Sequence, residues 1–226
     1  MNQSYIECRS VSKTYFCKHH EINALTNVNI NIDKGQFVII SGRSGAGKST
    51  LLNLIGGLIR PTSGTIRIEN TIISEAANDD ISKLLSSRTG IIFQSFNLLP
   101  AYTVYENIEI ALVPSGLNAA GIKKIIMPMA EQFGIINKLD LLPEELSVGQ
   151  QQKVAIIRTL VKNPSLILAD EPTGSVDEET ATEILSYLSS LNKEKQATVL
   201  LATHGLTTGK AVDRIIKIKD GYVEEV

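Results

Sequence analysis

Phe37-Val38-Ile39-Ile40-Ser41-Gly42-Arg43-Ser44-Gly45-Ala46-Gly47-Lys48-Ser49 runs from an apolar, β-branched segment into a glycine-rich loop that closes on Lys-Ser. Its last eight residues fit G-x-x-x-x-G-K-[ST], the P-loop pattern. The segment before the loop reads as a strand. After it, Leu51, Leu54, Ile55 and Leu58 recur at helical spacing up to Pro61, which should end the helix. Strand, loop and helix are the context the motif requires. Glycines let the backbone wrap a polyphosphate with its N–H groups turned inward, and the helix N-terminus adds a favourable dipole. Lys48 would bring a point charge to the β- and γ-phosphates, and Ser49 a hydroxyl for Mg²⁺. Gly42, Arg43, Ser44, Gly45, Ala46, Gly47, Lys48, Ser49 and Thr50 are thus candidate nucleotide contacts.

Outward from this loop the chain alternates. Tyr5 to Val11, Val28 to Ile32, Thr65 to Glu69 and Gly90 to Gln94 read as strands, and Asp33-Lys34-Gly35 as a turn. From about Ala101 to Lys162 the period is helical, punctuated by Pro114, Pro128 and Pro143. After Pro164 the alternation resumes. Ser165 to Ala169 and Thr198 to Thr203 are strands, and Glu178 to Leu191 is a helix with Ala181, Ile184, Leu185, Leu188 and Leu191 on one stripe. Arg214 to Lys219 and Tyr222 to Glu225 form a closing hairpin. The pattern predicts an α/β fold, a mainly parallel sheet covered on both faces, with a helical lobe inserted into it.

Composition narrows the function. The 226 residues carry 22 Lys and Arg against 24 Asp and Glu, so no basic excess supports general nucleic-acid binding. Two cysteines, Cys8 and Cys17, are too few for a disulfide framework or a four-ligand zinc site, and are expected as reduced thiols. No apolar run reaches the roughly 18 residues that span a bilayer, and the polar N-terminus has no signal-peptide core.

Two further strands end in chemistry. Leu166-Ile167-Leu168-Ala169-Asp170-Glu171 carries an apolar run into two acids, and ligands of open α/β sheets sit beyond the carboxyl ends of strands. Asp170 is placed to hold Mg²⁺, and Glu171 to orient or deprotonate an attacking water. Val199-Leu200-Leu201-Ala202-Thr203-His204 ends in a histidine able to donate to a γ-phosphate. His19 and His20 lie in a polar loop.

With these residues in place, Leu146-Ser147-Val148-Gly149-Gln150 resembles the LSGGQ signature of ABC ATPases. The resemblance covers about Tyr5 to Glu225. It is nearest to the ATPase subunits of lipoprotein-releasing, macrolide-exporting and cell-division ABC systems. It rests on STLLNLIGGLIRPTSG (49–64), FQSFNLLP (93–100), LSVGQQQKVAIIRTL (146–160) and ILADEPTGSVD (167–177).

The resemblance implies one ABC ATPase domain over residues 1–226. Its P-loop NTPase core and antiparallel β subdomain would take 1–100 and 163–226, and its helical subdomain 101–162. It implies ATP and Mg²⁺ as ligands and ATP hydrolysis coupled to transport. Gln94 would sense Mg²⁺ and the attacking water. Ser147 and Gly149 would touch the γ-phosphate held by a second copy or a paralogous ATPase in a head-to-tail dimer. Asp177 would cross the dimer interface, His204 would be the switch histidine, and Tyr15 would stack on adenine, with Phe16 as competitor. The partner that moves substrate would be a transmembrane permease, placing the chain on the cytoplasmic face of a membrane. Phe96, Leu98, Leu99, Pro100, Tyr102 and Tyr105 offer an apolar docking groove for it. A soluble DNA-repair ATPase and an assembly module with weak hydrolysis are the alternatives.

Locally, Ser147-x-x-Gln150 is also a capping-box pattern, opening a helix with Val154, Ile157, Leu160 and Val161 on its buried stripe, and Asp177 is a candidate cap for the next. The chain departs from the family pattern at three places. Val148 replaces a glycine, Lys153 a common arginine, and Gly205 a frequent aspartate after the histidine.

Overall fold

The three central strands that close on the glycine-rich loop are apolar on both sides, and both sides are covered. β3 (Phe37–Ser41), β6 (Thr89–Ile92), β7 (Leu166–Asp170), β8 (Thr198–Thr203), β9 (Arg214–Lys219) and β10 (Tyr222–Glu225) form one sheet in the order β10-β9-β3-β8-β7-β6. All its pairings are parallel except the β9–β10 hairpin. Alternate residues divide the core in two. Phe37, Ile39, Ile167, Ala169, Val199 and Leu201 face the helical part. Val38, Ile40, Leu166, Leu168, Leu200 and Ala202 face a second layer. The structure, a computed structural model, describes residues 4–18, 20–174, 176–204 and 212–225. His19 and Gly205 lie outside the described residues, as does the side chain of Cys17. Cys8 is buried and free.

The second layer holds α1 (Lys48–Ile55) and a four-stranded antiparallel sheet of order β2-β1-β4-β5: β1 (Ile6–Cys17), β2 (His20–Ile32), β4 (Ser63–Ile68) and β5 (Thr71–Ile72). β1 and β2 are far longer than their apolar cores at 5–11 and 28–32 suggest, and His20 opens β2 instead of lying in a loop. The register between them shifts at Cys8/Val11, Val11/Lys13 and Lys13/Thr14. Each shift breaks the period-two pattern by which a strand is read from sequence. Conversely, α1 ends at Ile55, before Pro61. Gly56 and Gly57 stop it, Gly57 in the left-handed region at φ 67°, and Leu58 is left outside the helix and exposed.

Between β6 and β7 the described chain is all helix and loop, with α3 (Val104–Glu109), α4 (Ala119–Gln132), α5 (Val148–Leu160) and short 3₁₀ turns. Pro128 does not break α4 but sits within it, losing one hydrogen bond to the helix. The predicted stripe of α5, Val154, Ile157, Leu160 and Val161, is buried. α2 (Asn78–Ser87) precedes β6, and α6 (Glu178–Lys195) carries its buried Ile184, Leu188 and Leu191 against the main sheet. Among the described residues no helix is long and apolar enough to cross a membrane.

Candidate functional site

The phosphate-type loop is held by what lies behind it. Gly47, the cap of α1, has φ 110°, a conformation in which an L side chain is strained. A Cβ there would also sit 2.5 Å from the Ala24 carbonyl oxygen and 2.9 Å from Leu25 Cδ2. A Cβ on Gly42 would run into the Ile218 carbonyl oxygen. The loop is thus packed between β2 and β9 by its own backbone. In front of it lies a cavity of about 450 Å³ lined by Gly42 to Ala46 and by Lys217, Ile218, Lys219 and Asp220. The two lysines are absent from the sequence reading. Their alternation along β9 signals only an exposed face.

Lys48 is 4% exposed. Its Nζ donates to the carbonyls of Gly42 (3.0 Å) and Arg43 (3.1 Å) and lies 3.5 Å from Glu171 Oε1. A buried ammonium needs such partners. All three belong to the site.

Sheet register brings the strand ends together. Ser41 pairs with Thr203, and Asp170 with Ala202. Burial pushes the Asp170 carboxyl above the usual carboxylate range. The Ser49 hydroxyl and Lys48 pull it down, and Glu171 raises it. Its Oδ1 is buried without a hydrogen-bond partner among the described residues. A desolvated carboxylate oxygen beside a serine hydroxyl is a hard-oxygen pair suited to a divalent cation that takes its remaining ligands from phosphates and water. Glu171 follows at φ 45°, in the left-handed region. Its N–H donates to Ala202 O (2.9 Å), its own carbonyl accepts from Gly174 (3.1 Å), and its Oε2 lies 3.0 Å from His204 Nδ1. Non-glycine residues in this conformation cost energy and concentrate at functional sites. Lys48, Ser49, Asp170, Glu171 and His204 therefore form one cluster.

The other candidates stand around it. Gln94 lies in the loop two residues past the end of β6 and is exposed; it does not end the strand. Tyr15 is 38% exposed with Lys13 Nζ 5.2 Å from its ring centre, whereas Phe16 is 72% exposed. Lys13 pairs across the hairpin with Leu25, the residue behind Gly47, so Tyr15 sits on the strand pair that backs the loop.

Ser147, Gly149 and Asp177 are elsewhere. Ser147 caps α5 in a reciprocal box, accepting from Gln150 N (3.3 Å) while Gln150 Oε1 accepts from Ser147 N (3.0 Å). Val148 is the first helical residue, outside the positive-φ region and 50% exposed, so its β-branch is not strained. Among the described residues a Cβ on Gly149 would meet only Val176 Cγ1 at 3.9 Å, an ordinary contact. Asp177 caps α6, and the Thr180 N–H and hydroxyl it accepts hold its carboxyl below the usual range. Among the described residues no hydrogen bond or ion pair joins Ser147 or Asp177 to the Lys48–Glu171–His204 cluster. Lys153, on α5, pairs with Glu183 of α6 at 2.8 Å.

The residues expected to line a docking groove divide between core and surface. Leu98 and Tyr105 pack on the core, while Leu99 and Tyr102 are exposed. A mainly apolar cleft of about 430 Å³ lies beside them instead, lined in part by Ile91, Phe93, Asn97, Ile110 and Pro114. Arg158 of α5 braces its wall, donating to the carbonyls of Phe96 and Asn97 (2.7 Å each). The fold built this cleft from α2, β6, α5 and the segment that follows α3, which one local apolar run does not announce.

Residues 25–174 match the family model described as ABC transporter. The chain is 40% identical over 223 residues to the uncharacterized ABC transporter ATP-binding protein MJ0796 of Methanocaldococcus jannaschii, covering 97% of this chain and 95% of that one. It is 43% identical to the ABC transporter ATP-binding protein YtrE of Bacillus subtilis, covering 92% and 90%. The macrolide export ATP-binding/permease protein MacB of Syntrophobacter fumaroxidans is 37% identical, but this chain spans only 31% of its length. Among solved structures, the dimeric post-hydrolysis state of the MJ0796 cassette bound to ADP and Pi superposes with a TM-score of 0.93 at 39% identity, covering 97% of each chain.

Proposed function

The chain belongs to the ABC transporter family, and from that premise we propose that it is the ATP-hydrolysing subunit of a membrane complex, acting as a head-to-tail pair that encloses two nucleotides. ATP binding and hydrolysis follow from the family and from the likeness to a cassette holding ADP and Pi. The pairing geometry and the residue roles are our reading. One observation carries it. Gly149 sits in the first turn of a helix, where glycine costs up to about 1 kcal/mol relative to alanine, and nothing among the described residues needs the space. A glycine without an internal reason suits a surface that something outside must approach closely. A helix N-terminus there, capped by Ser147, favours an anion such as a γ-phosphate.

In this reading a polyphosphate entering the loop replaces the Gly42 and Arg43 carbonyls as partners of Lys48 and loosens its ion pair with Glu171. Glu171, still beside His204, is then free to accept a proton from a water attacking the γ-phosphorus. The bond from that phosphorus to the bridging oxygen breaks, and ADP and phosphate result. Ser49 and Asp170 would hold Mg²⁺, which neutralises charge on the phosphates when bound. Gln94 would face the same water, and Tyr15 the adenine. Closure of the pair is worth only the difference in ATP affinity between closed and open states, so loss of the γ-phosphate reopens it.

The apolar cleft beside Arg158 suits a cytoplasmic segment of a permease, since this chain's described helices cannot line a membrane path. The enzymatic core of the proposal is tested by phosphate release from wild type and Glu171→Gln. The variant should lose at least about a hundredfold in turnover while keeping nucleotide affinity. Equal rates would remove Glu171 as the base. The docking part is tested by Ile110→Asp, which should abolish co-purification with the permease and spare basal hydrolysis; intact co-purification would refute it.

A further inference from the structure

Three consecutive glutamines on α5 do three different things. Gln150 closes the cap with Ser147, and Gln151 Nε2 donates to Leu146 O (3.2 Å). Gln152 is 2% exposed and points the other way, its Nε2 donating to the carbonyl of Pro172 at 2.8 Å. Pro172 is the residue after Glu171, whose left-handed backbone is fixed on its other side by Ala202.

The amide orientation is dictated by its partner, because a carbonyl only accepts. That leaves Gln152 Oε1 buried with no donor among the described residues. An acceptor stranded in this way costs stability, and an apolar side chain of the same length would fill the space without it. Packing therefore does not explain a glutamine here. Its single satisfied bond does, by fastening the helix that begins at Ser147 and Gly149 to the loop that carries Glu171.

We propose that Gln152 is a positioning residue that links the two nucleotide sites of the dimer. Its amide makes the placement of Glu171 depend on the placement of α5, whose N-terminus faces the partner's nucleotide. This rests on the head-to-tail reading above. In such a pair each chain contributes Glu171 to one site and Ser147 and Gly149 to the other, so one hydrogen bond inside each chain connects both sites. Occupancy of one is then felt as alignment of the base in the other, which is coupling between distinct sites carried by a named contact.

The test measures ATP hydrolysis against ATP concentration, together with the melting temperature, for Gln152→Met and for the isosteric Gln152→Glu, which keeps the shape and loses the amide donor. For both variants KM should stay within about twofold and kcat fall by about tenfold, with the Hill coefficient dropping to about 1. Gln152→Met should melt close to wild type, since it removes the stranded Oε1 acceptor but leaves the Pro172 carbonyl without its donor. Wild-type kcat and Hill coefficient in folded Gln152→Met would overturn the proposal. So would a fall in kcat that appears only with a matching fall in melting temperature and leaves the Hill coefficient intact, the behaviour of a mere space-filler. The Glu171→Gln chain with ATP serves as control. If it stays single, the paired reading and this inference fall together. If it pairs while Gln152→Met behaves as wild type, only this inference falls.

Discussion

Two helix N-termini in this chain are proposed to face nucleotide phosphates, and they are built in opposite ways. At α1, every constraint is internal. Gly47 takes φ 110° with the Ala24 carbonyl against it, Gly42 faces Ile218, and Lys48 is buried on carbonyls of its own loop. At α5, the cap is complete but its surroundings are open: Val148 is half exposed, and Gly149 has room for a side chain it does not carry. The first is finished by its own chain. The second is left open, and the contrast is what supports the proposed pair of copies around each nucleotide.

Breaking the internal end should have the largest effect. Gly47→Ala forces a side chain into a strained backbone and against Ala24, so nucleotide binding should be lost. Stability should fall by about 1–3 kcal/mol, read by titration with a fluorescent ATP analogue and by urea unfolding. Gly149→Ala probes the open end and should separate the two properties. Hydrolysis should drop by roughly ten- to a hundredfold, while urea unfolding shows unchanged or slightly greater stability. A stability loss instead would mean the glycine serves its own chain.

Asp170→Asn sharpens the electrostatic side of the internal end. Because burial raises this carboxyl in the folded state, folding holds its proton to a higher pH than the unfolded chain does. Stability is therefore lost as pH rises from the unfolded value through the folded one, and at neutral pH the ionised group is a liability. The nucleotide-free variant should melt about 1–3 °C higher at neutral pH. That gain should shrink as pH falls into the usual carboxylate range, while Mg²⁺-dependent hydrolysis is lost. The smallest effect belongs to Val148→Gly. The native residue is helical and unstrained, so ATPase activity should change by less than about fivefold and stability should fall by less than about 0.5 kcal/mol; a hundredfold gain in rate would show the native signature to be crippled.

How much of this was legible from sequence follows from how local each feature is. The loop at 42–49, the acids at 170 and 171 and the cap at Ser147 are short patterns whose chemistry is contained in adjacent residues, and the structure places them at strand and helix ends as expected. The lengths of β1 and β2 were hidden by bulges that shift the register and erase alternation. The early end of α1 was signalled by Gly56-Gly57 but masked by the more conspicuous Pro61. Gln152 was invisible for a different reason: it is one of three identical neighbours, and only the turn of the helix between successive residues decides which one faces Pro172. The cleft near Arg158 needs three elements brought together by the fold, so no single stretch of sequence announces it.

In the proposed pair, a second copy completes the open end of α5. Light scattering of the Glu171→Gln chain with and without ATP and Mg²⁺ measures this directly. The mass should rise from 24.6 kDa without nucleotide to about twice that with it, and Gly149→Ala in the same background should weaken the rise. A mass that stays at 24.6 kDa under saturating nucleotide would contradict the account.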